Sequence, residues 1–215
     1  VPSGLSNVVA VSAGGYHSLA LRSDGTVAAW GYNTYGQSKV PSGLSNVKAI
    51  SAGFGHSLAL KNDGTVVGWG WNSAGQTDVP SGLSNVVAIA AGGGHSLALK
   101  SDGTVVGWGL DDWGQTSDVP SGLSNVVAIA AGQDHNLALK SDGTVVGWGL
   151  GSSGQTTVPS RLGNVKAISA GTYHSLALKS DGTVVGWGYN DAGQATVPSG
   201  LSNVKAIAAG GGHNV

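Results

Sequence analysis

The stretch Ile89–Gly109, IAAGGGHSLALKSDGTVVGWG, decides the fold. It opens on the end of a short run of small and β-branched residues, NVVAIAAG (Asn85 to Gly92), bounded by glycine, which favours a buried strand over a helix. Gly93 and Gly94 make a loop. In HSLALKS, Leu97 and Leu99 share one face, the period-two alternation of a second strand. Asp102-Gly103 between two such runs is a strong hairpin signal, and both residues are expected to accept positive φ. TVVGWG then reads as a third strand with Val106 and Trp108 on one face and Gly107 on the other. The loop LDDWGQ leads into VPSG, where proline and glycine predict a turn or an edge strand. One such unit is three or four antiparallel strands in a meander.

Near-copies of this unit fill the chain, and a fixed period outranks any local reading. VPSGLSNV begins at Val1, Val40, Val79, Val119 and Val197, and its variant VPSRLGNV at Val158. The spacing is 39 residues except for one unit of 40, which carries an extra residue near Ser117. Histidines keep step at His17, His56, His95, His135, His174 and His213, and WG tryptophans at Trp30, Trp69, Trp108, Trp148 and Trp187. The units are 1–39, 40–78, 79–118, 119–157 and 158–196, with a partial sixth at 197–215. All-β units of this length, with no Glu and no helical periodicity, predict a β-propeller built one sheet per unit; an open β-solenoid is the alternative.

Composition removes several classes of function. Net charge is −1, with 10 basic and 11 acidic residues, which argues against a nucleic-acid footprint or a polybasic membrane patch. There is no cysteine, hence no disulfide or thiolate chemistry. No apolar run is long enough for a membrane-spanning helix. A hydrophobic fraction of 40% fits a large core of small side chains.

The units differ from one another in two windows. One is the pair before each histidine, where Tyr16, Phe54, Asp134 and Tyr173 stand. The other follows each WG, where Tyr32, Tyr35, Trp71, Asp111, Asp112, Trp113 and Tyr189 stand. The first window joins strands one and two, the Asp-Gly turn joins two and three at the opposite end, and the second window joins strands three and four. In a meander both therefore lie at the same end of the sheet. Variation confined to one face, with exposed aromatics, is the composition of a recognition surface. Those eleven residues are the candidate partner-binding set, with Asp111, Asp112 and Asp134 as an acidic patch.

Other constellations read as structural. The histidines are expected to bond their own blade's backbone and not to converge on a metal. The WG tryptophans are expected between blades, with glycine beside each for close approach. Asp24, Asp63, Asp102, Asp142 and Asp181 are expected to serve hairpin turns through positive φ. Ser and His of HSLAL are adjacent in a strand and point to opposite faces, so they make no nucleophile–base pair. AAGGGH lacks the lysine and the strand-to-helix context of a phosphate loop. No catalytic residue, cofactor or metal is expected.

The combination AGxxHSLAL, DGTVxxWG and GQ at fixed spacing resembles the regulator of chromosome condensation repeat family in its compact bacterial form, along essentially the whole chain. The short unit with GQTTVP (Gly154 to Pro159) is similar to bacterial β-lactamase inhibitor proteins of the propeller type. The resemblance implies a seven-bladed ring. The units here would belong to a longer chain or be completed by neighbouring molecules, since an open sheet edge invites association. The family's roles span nucleotide exchange on small GTPases, ultraviolet sensing and enzyme inhibition; the tryptophan-rich motif of the plant photoreceptor is absent. The expected function is a non-enzymatic scaffold that binds a protein through the variable face, in the manner of an enzyme inhibitor. A self-assembling module joined through open blade edges is the alternative, and a guanine-nucleotide exchange factor a further one. The bacterial resemblance points to a secreted or cell-envelope setting.

Overall fold

The computed structural model describes residues 1–215. Fifteen strands form five separate three-stranded antiparallel sheets, each in simple chain order. The first sheet is β1 (Val8–Ala13), β2 (His17–Arg22) and β3 (Val27–Gly31). The second is β4 (Val47–Ala52), β5 (His56–Lys61) and β6 (Val66–Gly70), and the third β7 (Val86–Ala91), β8 (His95–Lys100) and β9 (Val105–Gly109). The fourth is β10 (Val126–Ala131), β11 (His135–Lys140) and β12 (Val145–Gly149), and the fifth β13 (Val165–Ala170), β14 (His174–Lys179) and β15 (Val184–Gly188). The chain is thus an all-β array of propeller blades. Each blade has three strands, and the VPSG segment between blades is a turn. Residues 197–215 begin a sixth unit, in which Ala209 bridges Asn214. The sheets fan about an axis, and the fan is not closed by strand pairing.

Local chemistry explains each element. In Pro80-Ser81-Gly82-Leu83 the Leu83 N–H donates to the Pro80 carbonyl at 3.1 Å, and Gly82 has φ +77°. That is a turn with its third residue left-handed, which glycine supplies without strain. Asn85 follows at φ +58°, a conformation asparagine tolerates better than most side chains. Strand β7 then bulges between Val86 and Ala88, leaving Val87 exposed. The equivalent bulge positions hold Lys48, Val127 and Lys166, so valine and lysine interchange there because the side chain meets solvent.

The Asp-Gly hairpin differs from the expected geometry. Gly103 has φ +81°, but Asp102 is not left-handed. Gly103 N–H donates to the Lys100 carbonyl at 3.0 Å and Lys100 N–H to the Thr104 carbonyl at 2.9 Å. This is a three-residue turn with a glycine bulge. The aspartate acts through its carboxylate, which accepts from the Thr104 N–H at 3.0 Å and its hydroxyl at 2.6 Å. Those bonds, Thr104 hydroxyl first and the Lys100 ammonium behind them, hold Asp102 down at about 2.

The core lies between blades. Leu58, Leu60 and Val66 of the second sheet face Val86, Ala98 and Trp108 of the third. Leu97 and Leu99, on the third sheet's other face, pack on Val126, Ala138 and Trp148 of the fourth. Val79 and Leu83 from the VPSGL turn pack against the same cluster as Trp108. Each leucine buried in this way contributes about 1.5–3 kcal/mol. Val11 in the first sheet is 74% exposed, whereas the equivalent Ile50, Ile89, Ile129 and Ile168 are half-buried against the preceding blade.

Candidate functional site

Between blades, polar groups are joined by one repeated bridge. His17 Nε2 lies 2.9 Å from Ser57 Oγ of the next blade, His56 Nε2 3.0 Å from Ser96 Oγ, and His135 Nε2 3.0 Å from Ser175 Oγ. This corrects the expectation that each histidine bonds its own blade's backbone. It also brings together a serine and a histidine that a single strand keeps apart. The pair is nevertheless not a nucleophile and its base. Ser57 Oγ–H donates to the Gln37 carbonyl at 2.9 Å, so the histidine must be the donor to Oγ and carries its proton on Nε2. Where the fourth unit has Asn136 in place of serine, its Oδ1 accepts from His95 at 2.7 Å and its Nδ2 donates to the Gln115 carbonyl at 2.8 Å. Asparagine thus performs with two atoms what serine performs with one. The indole N–H of Trp69, Trp108, Trp148 and Trp187 donates to the same glutamine carbonyl of the preceding unit, at 2.9–3.2 Å.

Burial, with the neighbouring histidines as a lesser cause, holds His56 and His135 at about 3; burial likewise holds His95 at about 4. These rings stay neutral at physiological pH. Their Nδ1 atoms face tightly packed glycine backbone. A Cβ at Gly92 would collide with the His95 ring and the Gly132 carbonyl.

The variable loops share one end of the sheets. Tyr32 N–H donates to the Tyr16 carbonyl at 2.9 Å, tying the two windows of one blade together. Within the first two units their aromatic side chains meet. Tyr16 lies 5.3 Å from Phe54 and 6.1 Å from Tyr32, ring centre to ring centre; Tyr35 lies 6.3 Å from Tyr32 and 6.1 Å from Trp71. These five rings, with Gln37 and Gly55, line an open pocket of about 440 Å³. Tyr173 and Tyr189 repeat the Tyr16–Tyr32 pair in the fifth blade at 6.4 Å. Trp113 stands exposed in the third blade.

The acidic candidates separate into different roles. Asp111 Oδ1 accepts from the N–H groups of Thr116 and Ser117 at 2.7 and 3.0 Å, organising its own loop. Burial pulls Asp111 upward, but the hydrogen bonds from Ser117 and Thr116 prevail and hold it at about 2. Asn72 and Asn190 do the same for Thr77 and Ala195 in their units. Asp112 is exposed. Asp134 is pushed up by burial and then by the charge of Asp112, so these two carboxylates share a neighbourhood across the third and fourth blades.

Gln37 was missed as a site residue. Its signal was the GQ pair kept in every unit, although that pattern also reports the structural carbonyl. Its placement in the pocket depends on Tyr16, Phe54 and Trp71 arriving from other loops.

The sequence model described as regulator of chromosome condensation (RCC1) repeat matches residues 8–37, 47–76, 86–115, 126–155 and 165–194, one match per sheet. Prp20p from Saccharomyces cerevisiae, whose structure is described together with its binding properties to Gsp1p and histones, superposes with a TM-score of 0.78 at 24% identity. That match covers 95% of this chain and 67% of Prp20p. Yeast RCC1 (Prp20) with Kap60 bound gives 0.78 at 25% identity, over 96% of this chain and 65% of the other. Human WBSCR16 gives 0.77 at 25% identity, over 96% and 71%. The chain spans about two thirds of the length of the yeast structures.

Proposed function

The chain belongs to the regulator of chromosome condensation repeat family, and from that premise we propose that it is a non-enzymatic scaffold recognising a protein partner through its aromatic loop face. The observation that carries the reading is the joined aromatic set Tyr16, Tyr32, Tyr35, Phe54 and Trp71. The inter-blade core is complete without these side chains, and all but the half-buried Trp71 are exposed. Large amphipathic rings that bury much area at low entropic cost are the anchors of protein interfaces. The yeast relative's described binding to Gsp1p, histones and Kap60 supports protein binding as a use of this fold. Inhibition of an enzyme is the form of recognition we favour, because a rigid face that performs no chemistry of its own is suited to covering an active-site mouth. The bonded Ser–His bridges support a non-catalytic role, since every serine hydroxyl in them is committed to a backbone carbonyl.

The test compares partner capture by the wild-type chain, the triple variant Tyr35→Ala/Trp71→Ala/Trp113→Ala, and an opposite-face variant Lys61→Ala/Lys179→Ala. Partners retained by the wild type and the lysine variant, and lost by the aromatic variant, support the proposal. Partners retained equally by all three folded proteins overturn it.

A further inference from the structure

The pocket between the first and second blades has a chemistry more specific than a general recognition surface. Its wall is continuous: each ring touches the next, mostly edge to face, at interplanar angles of 65–72°, with Tyr35 and Trp71 tilted at 37°. No other junction repeats it. The position of Tyr35 is taken by Ala74, Ser153 and Ala192 in three units and by Trp113 in the third unit, but the unit after Trp113 has Gln133 where the unit after Tyr35 has Phe54, and the Phe54 position in the later blades holds Gly93, Gln133 and Thr172. Beneath the rings sits Gln37, only 1% exposed. Its Oε1 accepts from the Tyr35 N–H at 3.0 Å, which orients the amide and leaves Nε2 without a protein acceptor. The equivalent nitrogens of Gln76, Gln115 and Gln155 are sealed inside the protein, whereas Gln37 lines the open pocket.

The lining contains no Asp, Glu, Lys, Arg or His. A charged ligand group entering it would lose hydration without gaining a counter-charge. The polar atoms on offer lean towards donation: Gln37 Nε2 and the Trp71 indole N–H can only donate, while the three phenols turn either way. A neutral saccharide presents many hydroxyls that must also donate, and the lining offers them three phenol oxygens but no carboxylate or free amide oxygen. A quaternary ammonium suits aromatic faces, but the Gln37 N–H would turn its positive end towards it. The complement of apolar faces with donors is a ligand of apolar rings with acceptors and no N–H. A run of prolines has that character, because each residue carries an apolar ring and a carbonyl and lacks the amide hydrogen. In the polyproline II conformation those carbonyls point outward unbonded, and the segment is already ordered, so little entropy is lost on docking against aromatic walls.

We propose that the pocket formed by Tyr16, Tyr32, Tyr35, Phe54 and Trp71 over Gln37 receives a proline-rich segment of the partner protein in the polyproline II conformation. This rests on the protein-recognition reading and specifies its ligand. The Tyr173–Tyr189 pair, which has Ala192 where Tyr35 stands in the first unit, is too short a wall to do the same.

The experiment uses the full chain and a fluorescein-labelled decaproline peptide, followed by anisotropy, with a labelled Gly-Ser peptide as control. Saturable binding of decaproline alone is expected. It should weaken at least tenfold in Trp71→Ala and in Gln37→Glu, which keeps the oxygen facing Tyr35 and removes the donor. It should be unchanged in Lys166→Ala, on an exposed strand position. Tyr35→Phe, which alters one hydroxyl only, serves should Trp71→Ala fail to fold. Absence of saturable binding, or equal affinity in the wild type and Gln37→Glu, overturns the proposal. So does displacement of the peptide by tetramethylammonium or cellohexaose at lower concentration than by unlabelled decaproline. If decaproline fails while capture of partners still depends on the aromatic face, only the ligand class falls. If capture is also indifferent to that face, the recognition reading falls with it.

Discussion

At the junctions between blades every unit does the same thing, while in the loops above them hardly two units agree. The third blade presents both. Its Trp108, Ser96 and His95 are bonded into the neighbouring blades, and its Leu97 and Leu99 are fully enclosed. A few residues further on, Leu110, Asp111, Asp112 and Trp113 replace the Tyr32, Asn33, Thr34 and Tyr35 of the first unit. The junction must satisfy two surfaces at once, since each blade both donates and accepts on each of its two sides. A change there disturbs a neighbour as well as its own blade, in the nearest-neighbour manner of repeat proteins. The loops must only close; the buried glutamine does that in all five, helped by one Asn or Asp in four of them, leaving the other side chains open to variation.

The comparison can be broken from the junction side first. Trp108→Ala removes a buried indole and its bond to the Gln76 carbonyl, and should cost about 3–5 kcal/mol, read as a lowered urea midpoint. Acid comes next. His56, His95 and His135 are held at about 3, about 4 and about 3, against 6.5 when unfolded. The unfolded chain therefore binds protons that the folded chain refuses. Stability should be complete above pH 6.5, fall as pH drops towards 4, and level off below about 3, by up to about 1.4 kcal/mol per pH unit for each ring. Urea titrations between pH 7.5 and 4 check this; a midpoint that stays flat across the window would refute the neutral-ring assignment.

A subtler pair of variants sharpens the comparison at the bridge. Ser96→Ala leaves His56 and the Gln76 carbonyl short of a partner in a closed junction and should cost about 1–3 kcal/mol. Ser96→Asn, copying the fourth unit, should recover most of that loss. The smallest effect is expected in the loops. Tyr35→Ala should shift stability by no more than about 0.5 kcal/mol, as for an ordinary surface substitution, while abolishing contacts to a bound partner. A loss as large as that of Trp108→Ala would place Tyr35 in the core and remove it from the recognition face.

The fold was legible because the repeat displays it five times over. Leu97 and Leu99 alternate with Ser96 and Ala98, glycine marks each turn, and the 39-residue step leaves room for one small sheet per unit. The candidate face was legible for the same reason: comparison among units separates positions that packing constrains from those it does not. Other roles are hidden because a side chain's partner is chosen by three-dimensional geometry: the histidines bond the next unit, and two aspartates bond their own turns. Asp102 caps a turn with its carboxylate, which a dipeptide pattern does not reveal. Asp111 was grouped with Asp112 and Asp134, but it ties up its own loop.

The sequence by itself determined the unit, its strands, the side-chain parity of each strand and the end at which variation collects, because all of these follow from local periodicity and steric preference. Tertiary structure alone decided that His17 reaches Ser57 and Trp69 reaches the Gln37 carbonyl, and that rings from four loops close over one glutamine amide. Those contacts join residues some 40 positions or fewer apart in neighbouring sheets. Their existence depends on how one sheet leans on the next, a quantity set by packing of whole faces and carried by no single stretch of chain.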